Sequence, residues 1–397
     1  MKMTNKKYTL PFVLTLVLSA SALTCLVLSL LFFFTFRPGH SERNETGTFA
    51  ELLDVIDRRF IGSFDTDEIV LTAMRAAVDS LDDDWSYFMS PDEYITFLEN
   101  SNNRYTGIGV EVRIDEETEG IMVMGVYRDS GADLAGLTIG DVITGVDGES
   151  IQGLTLPEIR QKLRRPLGET ANLTVLRADG EYHTVTVQYD IVFTNPVTYE
   201  MLENNIGYVS LRNFEESAGE RFVTAVRALI DEGAVAFIYD VRSNNGGRVS
   251  EVTHILDFLL PEGEIFISVD RSGVENITRS GPSFIDIPAV VLVNSFSYSG
   301  AEYFAAMLHE YDYAPSVGEQ TTGKNRMQTT IPLTNGSAVH LSTGHYLTKN
   351  RISLFDNGGF TPDYEIALTE DEQLLFRRGE LDHKDDPQLQ KALQLLS

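Results

Sequence analysis

The spacing of apolar and polar residues divides the chain into four stretches. Residues 11–36 form an almost unbroken apolar run, residues 48–100 repeat apolar residues every three or four positions, and residues 105–193 form short strand-like runs. After residue 193, strand-like and helix-like segments alternate. These periods predict a membrane-spanning helix, amphipathic helices, a β-rich domain and an α/β domain, so the chain as a whole is expected to be α/β.

The apolar run at residues 11–36 is long enough to cross a membrane. No charged residue occurs from Tyr8 to Phe36, and the run exceeds the roughly 20 apolar residues that span a bilayer. Three lysines precede it, which favours a cytoplasmic tail at residues 1–10 and a body outside. A cleaved signal peptide is the alternative, but the length and the aromatic end FFFTF argue against a cleavage site. We expect an uncleaved single-pass anchor.

Residues 37–104 are predicted to be a linker followed by a helical region. Two segments, TFAELLDVIDRRF and DEIVLTAMRAAVDSL, have helical spacing. Further on, Ser90 is a candidate N-cap, with Pro91 at the first helical position. No chemistry is expected here, and Trp85, the only tryptophan, is interpreted as a buried packing anchor.

Residues 105–193 consist of strand-like runs separated by Gly- and Asp-containing turns, with one helical stretch, LPEIRQKLRR. The glycine loop at residues 107–110 and the segment GADLAGLTIGDVITGVDGESI resemble a PDZ domain, which has a barrel-like sheet. The resemblance implies that the domain binds a free C-terminus as an added strand, with the terminal carboxylate at the loop N–H groups. The residues implied in binding are Gly107, Ile108, Gly109, Val110, Ile159 and Leu163.

Residues 194–397 contain a candidate nucleophile, Ser299. It stands between an apolar strand-like run, residues 290–294, and a helix-forming segment, so the N–H groups of a first helical turn would lie beside its hydroxyl. Lys324 is the candidate base, which requires burial to lower its pKa from about 10.4. Gln328 would orient the amine without adding charge.

Three motifs in this region resemble those of the carboxyl-terminal processing, or tail-specific, proteases of bacteria and plastids. SYSGAE at 297–302 matches the SASASE segment of that family, GKNRMQ at 323–328 matches GKGxVQ, and DVRSNNGG at 240–247 matches DLRNNPGG. The spacing also agrees, with 25 positions (324 − 299) from serine to lysine and four (328 − 324) from lysine to glutamine. The resemblance extends from about residue 48 to the end of the chain.

The resemblance implies a Ser–Lys endopeptidase that works through an acyl-enzyme, a known variant of the serine-nucleophile scheme. Together with the apolar run at residues 11–36, it predicts an enzyme anchored in a bacterial cell membrane. Residues 194–397 would form a crotonase/ClpP-like α/β core. The implied oxyanion hole consists of N–H groups of Gly246, Gly247 and Gly300. Arg164, at the end of the PDZ helix, matches an arginine that couples peptide binding to activation in relatives. A solvated helix-end cation is the other interpretation of Arg164.

Some positions depart from the family pattern. Asn245 replaces a proline, Gly300 and Ala301 replace Ala-Ser, Asn325 replaces a glycine, and Glu310 stands where relatives often carry aspartate. The nucleophile, the base and the orienting glutamine are all retained.

The amino-acid composition limits the kinds of partner and cofactor that the protein can bind. The formal net charge of −28 argues against nucleic acid or an anionic membrane surface as the main partner. Cys25 is the only cysteine, which rules out an intrachain disulfide and a Cys-based metal cluster. We expect no cofactor, and protein or peptide substrates with free apolar C-termini. The oligomeric state is open, a homodimer included.

Two alternatives remain at this point. In a His-dependent hydrolase, one of seven histidines would be the base. His309 is ten residues after Ser299 on the same predicted helix, about 15 Å away, whereas His254, His340 and His345 stay open. The second alternative is an inactive, membrane-tethered peptide-binding scaffold. The joint presence of Ser299, Lys324 and Gln328 favours an active protease.

Overall fold

The computed structural model describes residues 45–397, so the predicted tail and anchor at residues 1–36 lie outside the described residues. None of the helices within 45–397 is long and apolar enough to cross a membrane. Within the described residues the chain divides into two compact units, with the division between residues 72 and 73. Helix α1 (Glu45–Arg59) lies in the first unit, and helix α2 (Thr66–Asp79) begins there. Both helices were expected from their periodicity.

The second unit begins with the end of α2, a short strand β1 (Tyr87–Met89) and helix α3 (Pro91–Ser101). The predicted cap of α3 is confirmed: Glu93 N–H donates to Ser90 Oγ at 3.4 Å, and Ser90 N–H donates to Glu93 Oε2 at 2.7 Å. Strand β1 was not expected, because the sequence predicts only helices in this region.

The PDZ region is an antiparallel sheet with two short helices, α4 (Gly131–Leu134) and α5 (Leu156–Lys162). The sheet order is β3-β4-β5-β7-β8, with β6 on β5, while β2 and β9 pair as a separate ribbon where the chain enters and leaves the domain. Apolar residues alternate inward along β7 and β8 and form the core of this domain. The strands are β2 (Arg104–Gly107), β3 (Val110–Ile114), β4 (Ile121–Val126), β5 (Val142–Val146), β6 (Glu149–Ser150), β7 (Thr170–Leu176), β8 (Tyr182–Gln188) and β9 (Asp190–Phe193).

The remaining chain is built around a six-stranded sheet of order β10-β11-β12-β15-β16-β19. Only β10 runs antiparallel to its neighbour. Every residue of β12 and β15 is buried, as expected for central parallel strands covered on both faces. The strands are β10 (Val197–Leu202), β11 (Ile206–Leu211), β12 (Ala236–Asp240), β15 (Ala289–Val293), β16 (Ser316–Gly318) and β19 (Tyr364–Glu365).

Helices cover the two faces of this sheet. On one face the core contains residues of α6 (Ala218–Asp231), α7 (Val249–Leu259) and α8 (Gly300–Glu310). On the other face it contains residues of α10 (Pro387–Leu395). Helix α9 (Glu370–Arg378) and 3₁₀ turns at Glu203–Asn205 and His383–Asp385 complete the described chain.

A second, antiparallel sheet has the order β1-β18-β13-β14, with β17 also paired to β18. Strands β17 and β18 form a hairpin that pairs from Pro332↔Ala338 onward, and Gly336 adopts φ 86° in its turn. The Asn335-Gly336 pair in the sequence is a strong signal for such a turn. The strands are β13 (Glu264–Asp270), β14 (Glu275–Arg279), β17 (Arg326–Pro332) and β18 (Ala338–Leu347).

A buried ion network connects the loop after β12 with the start of α10. The side chain of Arg242 is 2% exposed and donates to Asp240 Oδ2 at 2.6 Å, Asp386 Oδ2 at 2.7 Å and Gln388 Oε1 at 2.9 Å. Its guanidinium also lies 4.4 Å from the centroid of the Phe376 ring. Because every buried charge here has a partner, the network avoids the cost of an unpaired buried charge while it joins the loop to α10.

Candidate active site

Ser299 is the residue immediately before α8, as the sequence predicts. Its backbone has φ 56° and ψ −119°, a conformation that non-glycine residues rarely adopt and that must be held by surrounding contacts. Part of that support comes from Ser297, whose hydroxyl donates to the carbonyl of Val241 at 2.8 Å and accepts from Asn294 N–H at 3.0 Å. The nucleophile turn is thereby attached to the loop after β12.

Glu302, on the first turn of α8, binds the serine turn and the lysine loop together. Its Oε1 accepts from the N–H groups of Ser299 at 2.8 Å and Lys324 at 2.6 Å. Its Oε2 accepts from Gly323 N–H at 2.8 Å and from the Thr321 hydroxyl at 2.7 Å. The residue is fully buried, and burial raises the pKa of its carboxyl although these hydrogen bonds oppose the rise. Sequence reasoning missed this role, although Ser299 and Glu302 have the spacing of a capping box.

Lys324 has a half-buried amine that rests on aromatic rings. Its Nζ lies 4.4 Å from the centroid of the Trp85 ring and 5.8 Å from that of Tyr298. Burial lowers the pKa of Lys324 to about 8, although the charges of Glu302 and Asp83 oppose the decrease. Within residues 45–397 the amine forms no hydrogen bond, so the ring contacts determine its position. A lysine with this pKa is available as a base near neutral pH.

Gln328 lies on β17, next to an irregularity of the ladder between Met327 and Gln328. Its Nε2 donates to the Ser342 hydroxyl on β18 at 3.3 Å. Among the described residues, no hydrogen bond joins Gln328 to Lys324. The orienting role therefore stays a prediction.

The glycine loop contacts the nucleophile turn directly. A Cβ atom on Gly246 would lie 2.7 Å from the Gly300 nitrogen and 2.9 Å from Ser299 Cβ, and Gly246 and Gly247 have φ 85° and 149°. Only glycine fits such a position. The N–H of Gly246 donates to Asn244 Oδ1 at 2.8 Å. In the described part of the chain the N–H groups of Gly247 and Gly300 have no acceptor, so two of the three N–H groups predicted to bind an oxyanion are free.

Tyr346, on β18, is a site residue that sequence reasoning missed. Its hydroxyl donates to the carbonyl of Lys324, and its side chain lies beside that of Ser299. Burial holds the pKa of this phenol well above its usual value, so the hydroxyl stays neutral. No local pattern marked it, because the contact joins residues 47 positions apart (346 − 299).

Two of the histidines considered as a base have other contacts. His309 pairs with Asp363 at 3.2 Å. His340 packs its ring 4.8 Å from that of Tyr87, and burial together with the charge of Lys324 lowers its pKa to about 4. No hydrogen bond links any histidine of the described chain to Ser299. No group of three or more His, Cys, Asp or Glu side chains within 45–397 is arranged to hold a metal ion.

In the PDZ domain, Ile108 and Ile159 are buried, and Val110 and Leu163 pack partly buried against the same core. The carbonyl groups of Ile108 and Gly109 accept from Ala132 N–H at 2.8 Å and Tyr127 N–H at 3.0 Å. The N–H groups of Ile108 and Gly109 have no acceptor within the described residues, as a carboxylate-binding loop requires.

Arg164 follows the end of α5 and lines a cavity of about 480 Å³ that it shares with α3. The other lining residues include Arg75, Asp92 and Glu93. Arg164 therefore points toward the segment that precedes the PDZ domain, which is compatible with either interpretation of this residue.

Comparison with known proteins adds family matches on both domains. Residues 205–366 match the family described as Peptidase family S41, and residues 122–177 match the PDZ domain. The chain is 29% identical over 336 residues to a carboxyl-terminal-processing protease of Synechocystis sp., covering 83% of this chain and 77% of that protein. It is 32% identical over 305 residues to chloroplastic carboxyl-terminal-processing peptidase 1 of Arabidopsis thaliana, covering 74% of this chain and 62% of that protein.

Among solved structures, a Bacteroides fragilis protein assigned to the S41 proteases superposes with a TM-score of 0.54 at 17% identity. The match covers 85% of this chain and 92% of that one. At this identity the likeness supports the fold alone.

The buried amine of Lys324 predicts a pH dependence of stability that Lys324→Met should remove. The pKa is about 8 in the folded chain against 10.5 for the free side chain, so unfolding takes up a proton between these pH values. The free energy of unfolding should therefore rise with pH across this interval in the wild type, by up to about 3 kcal/mol relative to the variant. Urea denaturation at a series of pH values measures this difference. Identical pH dependences would contradict the burial of the amine.

Proposed function

The chain belongs to the S41 family of serine-type peptidases, and from that premise we propose that it is a membrane-anchored Ser–Lys endopeptidase. Its PDZ domain binds the C-terminus of a substrate, and its core hydrolyses a peptide bond of the same substrate. The observation that carries the proposal is the Glu302 carboxylate, which hydrogen-bonds the backbones of both Ser299 and Lys324 beside the glycine loop.

In the proposed reaction, Ser299 Oγ attacks the carbonyl carbon of the scissile bond and transfers its proton to the neutral amine of Lys324. The oxygen that becomes negative accepts hydrogen bonds from the N–H groups of Gly247 and Gly300. The lysine then protonates the leaving amine, and the acyl-enzyme forms. The same lysine then takes a proton from a water molecule, whose oxygen attacks the ester carbon, and it gives that proton to Ser299 Oγ as the ester bond breaks.

The base must move to take part in this reaction. In the structure the Lys324 amine lies on the Trp85 ring, so rotation about the lysine side chain has to bring it to Ser299 Oγ. We assign to Gln328 the task of accepting a hydrogen bond from the amine in that working position. The Tyr346 side chain, which lies beside that of Ser299, limits the positions open to the nucleophile.

Replacement of the nucleophile or of the base tests the Ser–Lys assignment. We expect Ser299→Ala and Lys324→Ala each to lower cleavage of an unstructured protein with an apolar C-terminus by about 10⁴-fold or more, because the two groups act as a unit. Cleavage is followed by gel electrophoresis and mass spectrometry. Ser295→Ala, which removes an exposed hydroxyl from the same turn, is the matched control and should keep full activity.

Persistence of cleavage in both variants, with unchanged circular dichroism, would refute the Ser–Lys assignment. A wild-type chain that binds the peptide without cutting it would instead favour the scaffold alternative.

The PDZ assignment predicts that the substrate must end in a free carboxylate. Amidation of the C-terminus removes the charge that the free N–H groups of Ile108 and Gly109 would bind. We expect the amidated substrate to be cleaved at least about tenfold more slowly at substrate concentrations below KM, since a charge-assisted hydrogen bond contributes about 1.5 to 3 kcal/mol. Equal rates for the two substrates would refute recognition of the terminal carboxylate.

We also propose that residues 11–36 anchor the enzyme in a bacterial cell membrane with its body outside the cytoplasm. The support is the length of the apolar run and the lysines before it. After cell fractionation, the full chain should stay with membranes through alkaline carbonate extraction, whereas a chain that begins at residue 45 should not. Release of the full chain into the soluble fraction would contradict the anchor.

Light scattering of the purified chain would show whether it forms a homodimer.

A further inference from the structure

Trp85 contacts the candidate base although it lies outside both stretches that match known families, residues 122–177 and 205–366. The centroid of its ring is 4.4 Å from Lys324 Nζ and 5.8 Å from the ring of Tyr298. A segment before the PDZ domain thus contributes an aromatic side chain to a site in the peptidase core.

Hydrogen bonds hold the segment that carries Trp85 against the core. Strand β1 pairs with β18, with Tyr87 opposite His340. The Ser86 hydroxyl accepts from Ser342 N–H at 2.9 Å and donates to Asp83 Oδ2 at 2.5 Å. The core therefore holds the chain immediately after Trp85, and the bond between Asp83 and Ser86 spans Trp85 itself.

We propose that Trp85 is a positioning residue of the active site, whose ring supports the Lys324 amine and keeps water away from it. The proposal rests on the proposed function, in which Lys324 is the base. It makes the segment before the PDZ domain a part of the catalytic site.

The charged and titratable groups around the amine show why water must be excluded for the amine to be neutral. Glu302 on α8 and Asp83 on the Trp85 segment both favour the protonated amine. His340 on β18 has a pKa of about 4, so it is neutral near pH 7, and Tyr298 has a raised pKa and is neutral as well. Burial is the one influence that favours the neutral amine, and it outweighs the two carboxylates.

The ring has two opposing effects on the amine. An ammonium group is attracted to the face of an indole, which favours protonation, whereas exclusion of water favours the neutral form. Burial is the largest cause of the shift at Lys324, and the net change is a decrease to about 8. We therefore expect that exclusion of water dominates and that loss of the ring raises the pKa of the lysine.

Tryptophan fluorescence gives a test that does not depend on catalysis. Trp85 is the only tryptophan of the chain, so all tryptophan emission of the full-length protein comes from the ring that contacts Lys324. We expect the emission of the wild type and of Ser299→Ala to change with pH, with a midpoint near the Lys324 pKa of about 8. The change should be absent in Lys324→Met. Emission that does not titrate in the wild type, or titrates identically in Lys324→Met, would overturn the proposal.

The pH profile of kcat/KM distinguishes a positioning role from simple packing. In Trp85→Ala the acid limb should move to higher pH by about half a unit or more, because water reaches the amine. In Trp85→Phe an aromatic ring still covers the amine, so this variant should keep most of the wild-type pH profile. Tyr94→Ala removes a ring that stacks on Phe97 in the same segment and serves as the matched control with an unshifted limb.

An acid limb that stays in place or moves to lower pH in Trp85→Ala would refute the proposal, even if activity falls at every pH. If Trp85→Ala does not fold, the fluorescence titration of the wild type still decides. If Ser299→Ala keeps full activity while the emission still titrates with Lys324, the proposed function fails and the Trp85 contact stands.

Discussion

The buried carboxylate of Glu302 is the interaction on which the site depends. It accepts four hydrogen bonds, from Thr321, Gly323, Lys324 and Ser299, and these come from two chain segments more than twenty positions apart. A buried carboxylate is costly unless its oxygens are satisfied, so the two segments are held where all four donors reach it. Its charge also favours the protonated lysine, which the site counteracts through burial of the amine. Glu302 therefore holds the two segments together, but its charge also makes it harder for Lys324 to be neutral.

The oxyanion donors depend on contacts far away along the chain. The glycine loop follows β12, and Arg242 in that loop pairs with Asp386, 144 positions later. Gly246 must lie almost in contact with Ser299, which only a residue without a side chain allows. The start of α10 thus contacts the loop that carries Gly247, although no residue of α10 belongs to the predicted catalytic set.

Strand β18 is the common partner of the elements around the lysine. It pairs with β17, which follows Lys324 and carries Gln328, with β13 of the core and with β1, which follows Trp85. Tyr346 on the same strand bonds to the Lys324 carbonyl. Displacement of β1 would change the surroundings of the amine, which connects the segment before the PDZ domain to the chemistry.

The sequence by itself determined the features that depend on local patterns. Helical periodicity, the Ser90 cap, the Asn335-Gly336 hairpin and the position of Ser299 between a buried strand and a helix were all readable, because each signal lies within a few residues. The candidate pair Ser299 and Lys324 came from motif and spacing. Only the tertiary structure decided what surrounds them: Trp85 against the amine, Glu302 between the two backbones, Tyr346 at the serine, and the Gly246 N–H already bonded to Asn244. Sequence reasoning interpreted Trp85 only as a packing anchor because its contact with Lys324 joins residues 239 positions apart (324 − 85), and burial and long-range pairing have no local signature.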